Sequence, residues 1–445
     1  MTKQQRLNLA TTVILVLAAN ALYAPYINRI MMCDEANTLY QYADSLVRAL
    51  FSYATPNNHM LHSVLVWGVT NIAGSSPVAV RFVALSSALL ATALMFRVAS
   101  RFASYRAAVS ATVFMMTTLT FADYAVNARG YTLSVALTLL LIDRLFLTRS
   151  IYTRGYRYSL LIISFALILL LPSMIMLIVA ACAWILWRSR SQRRYLQLLP
   201  PLIFGVAFAA VFYLPTFLHG SVFTQDISLF GESDLLVLLR LWLDQTFGTQ
   251  GIGLLFAASC VAGLFVLIGR YPRARVMIIT VVGITVLIAI AQILVLHKLF
   301  FARNYLFLLA PVALLGGIGF SRIANRYTLP LMAAVLVFSI IPLKSLDGEY
   351  IEKDVLARVE QNVGADDQIL SGPCFNAPIQ YTLLHNGESE KLFSTPPKQR
   401  VFVLYREGTY EDVLKLYNME DKVVDCEPIT DDSWSPFEVY LCQPK

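Results

Sequence analysis

The feature that most restricts this chain is a series of apolar runs of about 20 residues, nearly free of charge, that recurs from Leu7 to Leu343. A run of that length crosses the hydrocarbon core of a bilayer as a helix, which satisfies its own backbone hydrogen bonds. The alternating hydrophobicity of a transmembrane barrel is not found in the sequence. Only 14% of residues are charged, against about 25% in a soluble domain, so a soluble globular protein is excluded. The expected fold class is an α-helical polytopic membrane protein. Its first run, Leu9 to Tyr26, lacks a small-residue cleavage site and has Asn20 and Pro25 where a signal peptide would end. It reads as a retained helix.

The formal charge of +7 is explained by topology rather than by an acidic partner. Arginines cluster between alternate apolar runs, at Arg97/Arg101/Arg106, Arg144 to Arg157, Arg188 to Arg194, Arg270 to Arg275 and Arg322/Arg326. With Lys3 and Arg6 they define a cytoplasmic face, because basic loops stay inside. A nucleic-acid surface would not alternate with helices in this way, so no nucleic-acid partner is expected. Keeping each cluster on one side gives eleven crossings, near residues 9–28, 77–96, 105–121, 131–147, 158–171, 173–187, 198–217, 251–269, 276–296, 304–320 and 327–344. Between 158 and 187, one helix kinked at Pro172 would split two basic clusters between opposite faces. Two short helices turning at Leu171-Pro172-Ser173 keep them together and are the preferred reading. The protein is thus expected to be multi-pass in the inner (cell) membrane, among membrane lipids, with its N-terminus cytoplasmic.

Residues 31–76 carry two amphipathic patterns expected to lie in the interface, and another falls near residues 235–243. Beyond residue 345 the composition changes sharply. Two domains are expected: 1–345, transmembrane, and 346–445, a small extracytoplasmic α/β domain. The latter reads as helix 351–363, strand QILSG, helix APIQYTLLH, strand VFVLYRE, helix YEDVLKLYN, and strands KVVDCE and FEVYLCQ. No cysteine pair has Cys-x-x-Cys spacing. Cys426 and Cys442, on adjacent terminal strands, are the expected disulfide, with Cys374 left over.

Chemistry concentrates in the outer segments. Asp34 and Glu35 follow the first apolar run; as a solvated helix boundary they would need no function. Yet the same face also supplies Asn57, Asn58, His59 and His62, then Asp123, Tyr124, Asn127 and Arg129, then His297, Lys298, Arg303 and Asn304. Cations beside apolar walls suit a lipid-linked phosphate, since Arg clamps phosphate oxygens bidentately while a prenyl tail stays in the membrane. Arg129, Lys298 and Arg303 are the candidates, although Lys298 and Arg303 could simply snorkel, and Arg129 could pair with Asp123 or Glu35. Asp34 is assigned as the base that takes a proton from an acceptor hydroxyl, with Glu35 in support. His59 and His62, three apart, have a spacing that admits zinc, but no third ligand is indicated.

A helix, then Asp-Glu-Ala, then PNNHMLH, SPVAVRFVALSSALL and Ala-Arg-Gly-Tyr, in that order, resembles the multi-spanning C-fold glycosyltransferases. Within them it looks like the family 39-like group related to protein O-mannosyltransferases and the lipid A aminoarabinose transferase. The likeness covers residues 10–150 and the helix RNYLFLLAPVALLGGIG; the C-terminal domain is similar only in type. It implies transfer of a sugar from a polyprenyl-phosphate-sugar donor to a lipid, glycan or protein acceptor at the outer face, with Asp34 as base. Many relatives read His-Pro-Pro where this chain has Asn58-His59-Met60, and Glu-Ala-Arg where it has Asn127-Ala128-Arg129. The second departure removes an acid, for which Asp123, one helical turn earlier, is the alternative. No cofactor is required, and with Asn at 127 a divalent metal is not favoured. The competing readings are a transporter or flippase of lipid-linked sugars, which would place charge near the bilayer midplane, and a non-catalytic polymer-assembly partner.

Overall fold

The computed structural model describes residues 2–53, 58–147, 153–218, 235–247, 251–296, 301–347, 358–359, 361–364, 367–372, 378–381, 400–405, 409–429 and 438–445. Asn57, His297, Lys298 and Cys374 lie outside the described residues. The chain divides into two units, one of residues 1–27 and 42–346, the other of residues 28–41 and 347–445.

In chain order the first eleven α-helices are α1 (Lys3–Tyr23), α2 (Cys33–Asn37), α3 (Leu46–Phe51), α4 (Met60–Ala73), α5 (Pro77–Phe102), α6 (Tyr105–Thr117), α7 (Leu119–Ala125), α8 (Tyr131–Ile142), α9 (Arg154–Leu170), α10 (Ile175–Ser189) and α11 (Leu199–Leu218). Helices Leu235–Phe247, Gly251–Arg270, Pro272–Ile278, Ile284–Leu296, Leu309–Ala324 and Thr328–Phe338 follow. All but α2 belong to the first unit. Each of the eleven expected crossings is occupied by helix. Seven helical runs among the described residues are long and apolar enough to cross a membrane, and the last of them joins two expected crossings into Ala302–Leu343.

Local chemistry sets the helix ends. Thr2 and Gln5 form a capping box on α1, and Ser76, Ser104 and Thr153 cap α5, α6 and α9. Leu171 is extended (φ −149°, ψ 118°) because it precedes Pro172, and α9 stops there. The chain then doubles back. Tyr156, in the first turn of α9, donates to the Arg144 carbonyl (2.9 Å), while the end of α10 shares a cavity with Leu145 to Leu147. The two short helices therefore bring both basic clusters to one end. Elsewhere in this unit, close packing depends on small residues: a Cβ on Gly319 would strike the Ser259 carbonyl, and one on Gly263 the Leu315 carbonyl. These glycines let Gly251–Arg270 and Leu309–Ala324 touch backbone to backbone.

The second unit holds a four-stranded sheet, β1 (Gln368–Ser371), β2 (Val401–Tyr405), β3 (Val423–Pro428) and β4 (Glu438–Pro444), in the order β1-β2-β4-β3. β1 and β2 are parallel; the other pairings are antiparallel. All four expected strands form, with the helix Tyr410–Leu416 between β2 and β3. Cys426 and Cys442 are bonded across β3 and β4, as expected. Of the two other expected helices, only residues 358–359, 361–362 and 378–381 are described as helical.

This unit departs from the expected boundary in one respect: residues 28–41 group with residues 347–445 rather than with the transmembrane helices. The reason is apolar contact. Ile30 packs against the cluster of Val359, Ile369, Ile379 and Phe402, and Tyr40 sets its ring edge against Tyr381 at 6.5 Å.

Candidate active site

In the first unit the site is built around the short connection from α7 to α8. Only Val126 to Gly130 separate the two helices, and the loop closes on itself through the Arg129 N–H donating to the Asn127 carbonyl (2.6 Å). Thr132 then donates to the Ala84 carbonyl of α5 (2.9 Å), fixing where α8 begins. Across from this loop stands His59, which precedes α4 with φ −94° and ψ 77°, outside helical geometry. His59 therefore stands just outside the helix that carries His62, although both approach Gly130. Asn58 sets the loop before it, donating to the Ala49 and Ser52 carbonyls (3.2 and 2.6 Å) and accepting from Ser63 (2.7 Å).

His59 and Arg129 are 2% and 1% exposed. His59 Nδ1 accepts from the Gly130 N–H at 2.8 Å, and Nε2 lies 3.1 Å from Arg129 Nη2. With Nδ1 accepting, the single proton of a neutral imidazole sits on Nε2 and faces the guanidinium. A ring engaged in this way has no lone pair left for a metal. The edge of Tyr131 meets the His59 ring at 4.7 Å, the Arg129 guanidinium lies 5.9 Å from the Tyr131 centroid, and Tyr124 packs on Tyr131 at 4.4 Å.

Arg303 reaches the same region from Ala302–Leu308, a 3₁₀ segment that packs on α8. Its guanidinium stacks over Phe301 at 4.8 Å. Its charge is felt at two of the site residues. Burial holds His59 well below the ordinary imidazole value, and the positive charges of Arg129 and Arg303 press the same way. Burial and Tyr131 push the Tyr124 phenol up, whereas Arg303 and Arg129 oppose that rise. His59, Tyr124 and Arg129 thus meet around Tyr131 from three separate elements, and Arg303 lies on a fourth that packs on α8. His62 is fully buried beside Gly130, Asn127 is buried in the loop, and Asp123 is half-buried one residue before Tyr124.

Asp34 and Glu35 lie in α2, in the second unit, and their side chains differ sharply. Glu35 is fully buried and its carboxylate accepts from the Met32 N–H at 2.9 Å, bracing the first turn of the helix. Asp34 is half-buried. Asp143, which follows the last residue of α8, is 4% exposed and paired with Arg101 (2.6 Å) and Arg97 (3.5 Å).

Three residues that matter here stand inside the quoted motifs but were not named from sequence as site residues. Gly130 has no room for a side chain, Tyr131 joins His59 to Tyr124, and Arg81, wholly buried in α5, donates to the Ile27 carbonyl at 2.7 Å. A charge inside the apolar string SPVAVRFVAL was the available signal for Arg81.

The fold is that of the C-fold glycosyltransferases. ArnT from Cupriavidus metallidurans in the apo state superposes with a TM-score of 0.65 at 12% identity, over 96% of this chain and 97% of that one. The same protein bound to undecaprenyl phosphate gives 0.62 at 11%, with the same coverage. AglB, an oligosaccharyltransferase from Archaeoglobus fulgidus in complex with an inhibitory peptide and a dolichol-phosphate, gives 0.49 at 12%, over 89% of this chain and 61% of that one. No family model and no curated protein matches the sequence.

Proposed function

We propose that this chain is an inverting glycosyltransferase that moves a sugar from a polyprenyl-phosphate donor to a lipid, glycan or protein acceptor at the outer face of the membrane. The observation that carries the reading is the buried pairing of the Arg129 guanidinium with neutral His59, with Arg303 on the segment that packs on α8. His59 Nε2–H and Arg129 Nη2–H are both donors 3.1 Å apart, close enough for one anionic oxygen beside the pair to accept from both. A phosphate supplies such an oxygen. The full-length likeness in fold to ArnT, a protein solved with undecaprenyl phosphate bound, supports the same class of donor.

In the proposed reaction the acceptor hydroxyl attacks the anomeric carbon, the bond to the phosphate oxygen breaks, and Asp34 takes the hydroxyl proton. One displacement inverts the anomeric configuration. Charge develops on the departing phosphate, where Arg129 and Arg303 stabilise it. Asp34 is preferred to Glu35 as base because Glu35 is turned inward onto the Met32 N–H.

The test is sugar transfer from a prenyl-phosphate donor by the purified protein in lipid. Asp34→Asn should lower the rate about 10²- to 10⁴-fold, the range for loss of a general base. Glu35→Gln should act mainly on stability. Undiminished transfer by D34N would remove Asp34 from the mechanism, and wild type inactive with every such donor would favour the transporter reading.

A further inference from the structure

A second cavity, of about 480 Å³, opens at the other end of the first unit. Tyr131 of α8 belongs to the site above, and the helical run that starts there ends at Leu147, which lines this cavity. Seventeen residues at 1.5 Å each separate the two by about 25 Å, close to the thickness of a hydrocarbon core. The sugar-transfer chemistry makes no use of it.

Its wall combines Arg188, Arg194 and Arg273 with Trp184, Trp187 and Tyr195, and among the described residues no acid lines it. The guanidinium groups of Arg188 and Arg194 lie 5.6 and 5.8 Å from the Tyr195 ring centroid, and Trp184 meets that ring edge-on at 5.5 Å. Arg194 is also steadied by Gln192, which accepts from it at 3.0 and 2.7 Å. Two cations are therefore gathered round one aromatic ring, and Arg273 adds a third to the cavity wall. Trp187, part of the cavity wall, is 52% exposed, and about 100° round α10 from it Ile175, Val179 and Leu186 form an exposed apolar stripe. Tryptophan at the foot of an apolar stripe, with arginines just beyond, marks the level where acyl chains give way to headgroups.

We infer that this cavity binds the phosphodiester headgroup of an anionic phospholipid, whose acyl chains lie along the exposed stripe of α10. The arginines supply charge-assisted donors to the phosphate oxygens. A soluble phosphate ester shares that headgroup chemistry but would make no use of the stripe.

The inference is tested by native mass spectrometry of the purified full-length protein, titrated with phosphatidylglycerol, with phosphatidylcholine of the same chains, or with inorganic phosphate. Wild type should retain phosphatidylglycerol in preference to phosphatidylcholine. Arg188→Gln/Arg273→Gln should bind it about 25-fold more weakly, from roughly fivefold for each arginine at a membrane surface. Arg190→Gln/Arg193→Gln removes the same charge from the same connection outside the cavity and should bind as wild type does. Arg188→Lys/Arg273→Lys keeps the charge and should recover most of the affinity, which separates binding from a folding defect. Equal retention of the two lipids, or equal losses in the cavity and control variants, would overturn the inference. So would displacement of phosphatidylglycerol by millimolar inorganic phosphate, which would identify the ligand as a soluble ester.

Discussion

Gly130→Ala is the most economical probe of the candidate site, because it adds one methyl group and removes no charge. A Cβ at that position would lie 2.5 Å from Leu170 Cδ1, 3.0 Å from His59 Nδ1 and 3.3 Å from His62 Cβ. Apolar carbons settle at about 3.5–4.0 Å, so Leu170 would have to withdraw by about 1 Å. Leu170 has nowhere easy to go, being fully buried at the end of α9. Overpacking of this kind costs about 1–3 kcal/mol. If His59 yields instead, the Gly130 N–H to Nδ1 bond opens, and with it the register that aims Nε2 at Arg129. A reacting group displaced by about 1 Å loses about 100-fold in rate. Under the proposed function, G130A should therefore cut the initial rate of sugar transfer about 10- to 100-fold, together with a lower thermal midpoint. Gly68→Ala is the control: nothing lies within 4 Å of its Cβ, and it sits in α4, the helix that His59 precedes. It should be neutral or stabilising, since Gly in a helix costs about 1 kcal/mol relative to Ala. A G130A protein with the wild-type midpoint and rate would refute the packing argument.

Protonation of His59 should limit stability in acid. Its folded value is depressed, so the unfolded chain binds the extra proton first, and stability falls as pH drops below about 6.5, the value of a free imidazole. Thermal midpoints between pH 5 and 8 should show this loss in wild type and a flatter profile in His59→Gln; identical profiles would count against it. Asp143→Asn should lower the midpoint in detergent, because it weakens a buried carboxylate's bonds to Arg97 and Arg101, with a cost of about 1–3 kcal/mol; an unchanged midpoint would show the pair to be idle. Cys426→Ser/Cys442→Ser should remove no titratable thiol under native, non-reducing conditions, yet should destabilise the second unit by about 3 kcal/mol, for a sequence separation of 16. Thiol titration and denaturant unfolding would check both halves of that statement.

The helices were legible because apolar periodicity and capping are local: Ser104 before α6 and Pro172 after α9 announce their own boundaries in the sequence. The disulfide was legible for a related reason, since two short strands near the end of the chain have few partners but each other. The grouping of residues 28–41 was not. Nothing in NRIMMCDEANTLYQ announces that Ile30 belongs with Val359 and Phe402, more than 300 residues away, and an amphipathic pattern looks the same whether it faces lipid or a sheet. Tyr131 and Gly130 escaped for the opposite reason. They close the Ala-Arg-Gly-Tyr motif, but only the approach of His59 from the loop before α4 gives them a role at the site.

The pair Asp34 and Glu35 shows how far residue type alone can carry a functional assignment. Both are carboxylates, adjacent in sequence, at the start of one five-residue helix. From the sequence they are interchangeable, and the choice of Asp34 as base rests on the order of neighbouring motifs. Backbone geometry separates them. In the first turn of a helix the third residue is the one whose side chain reaches back to the unpaired N–H before it, and Glu35 occupies that place with Met32 ahead of it. A carboxylate spent on that bond is fixed and dry. Its neighbour, rotated about 100° around the helix, keeps its orientation away from that brace. Exchanging the two acids, in a chain carrying Asp34→Glu and Glu35→Asp, should therefore impair both stability and transfer. The shorter side chain at 35 fails to reach the Met32 N–H, and the longer one at 34 carries its carboxylate one methylene beyond the position set by the helix.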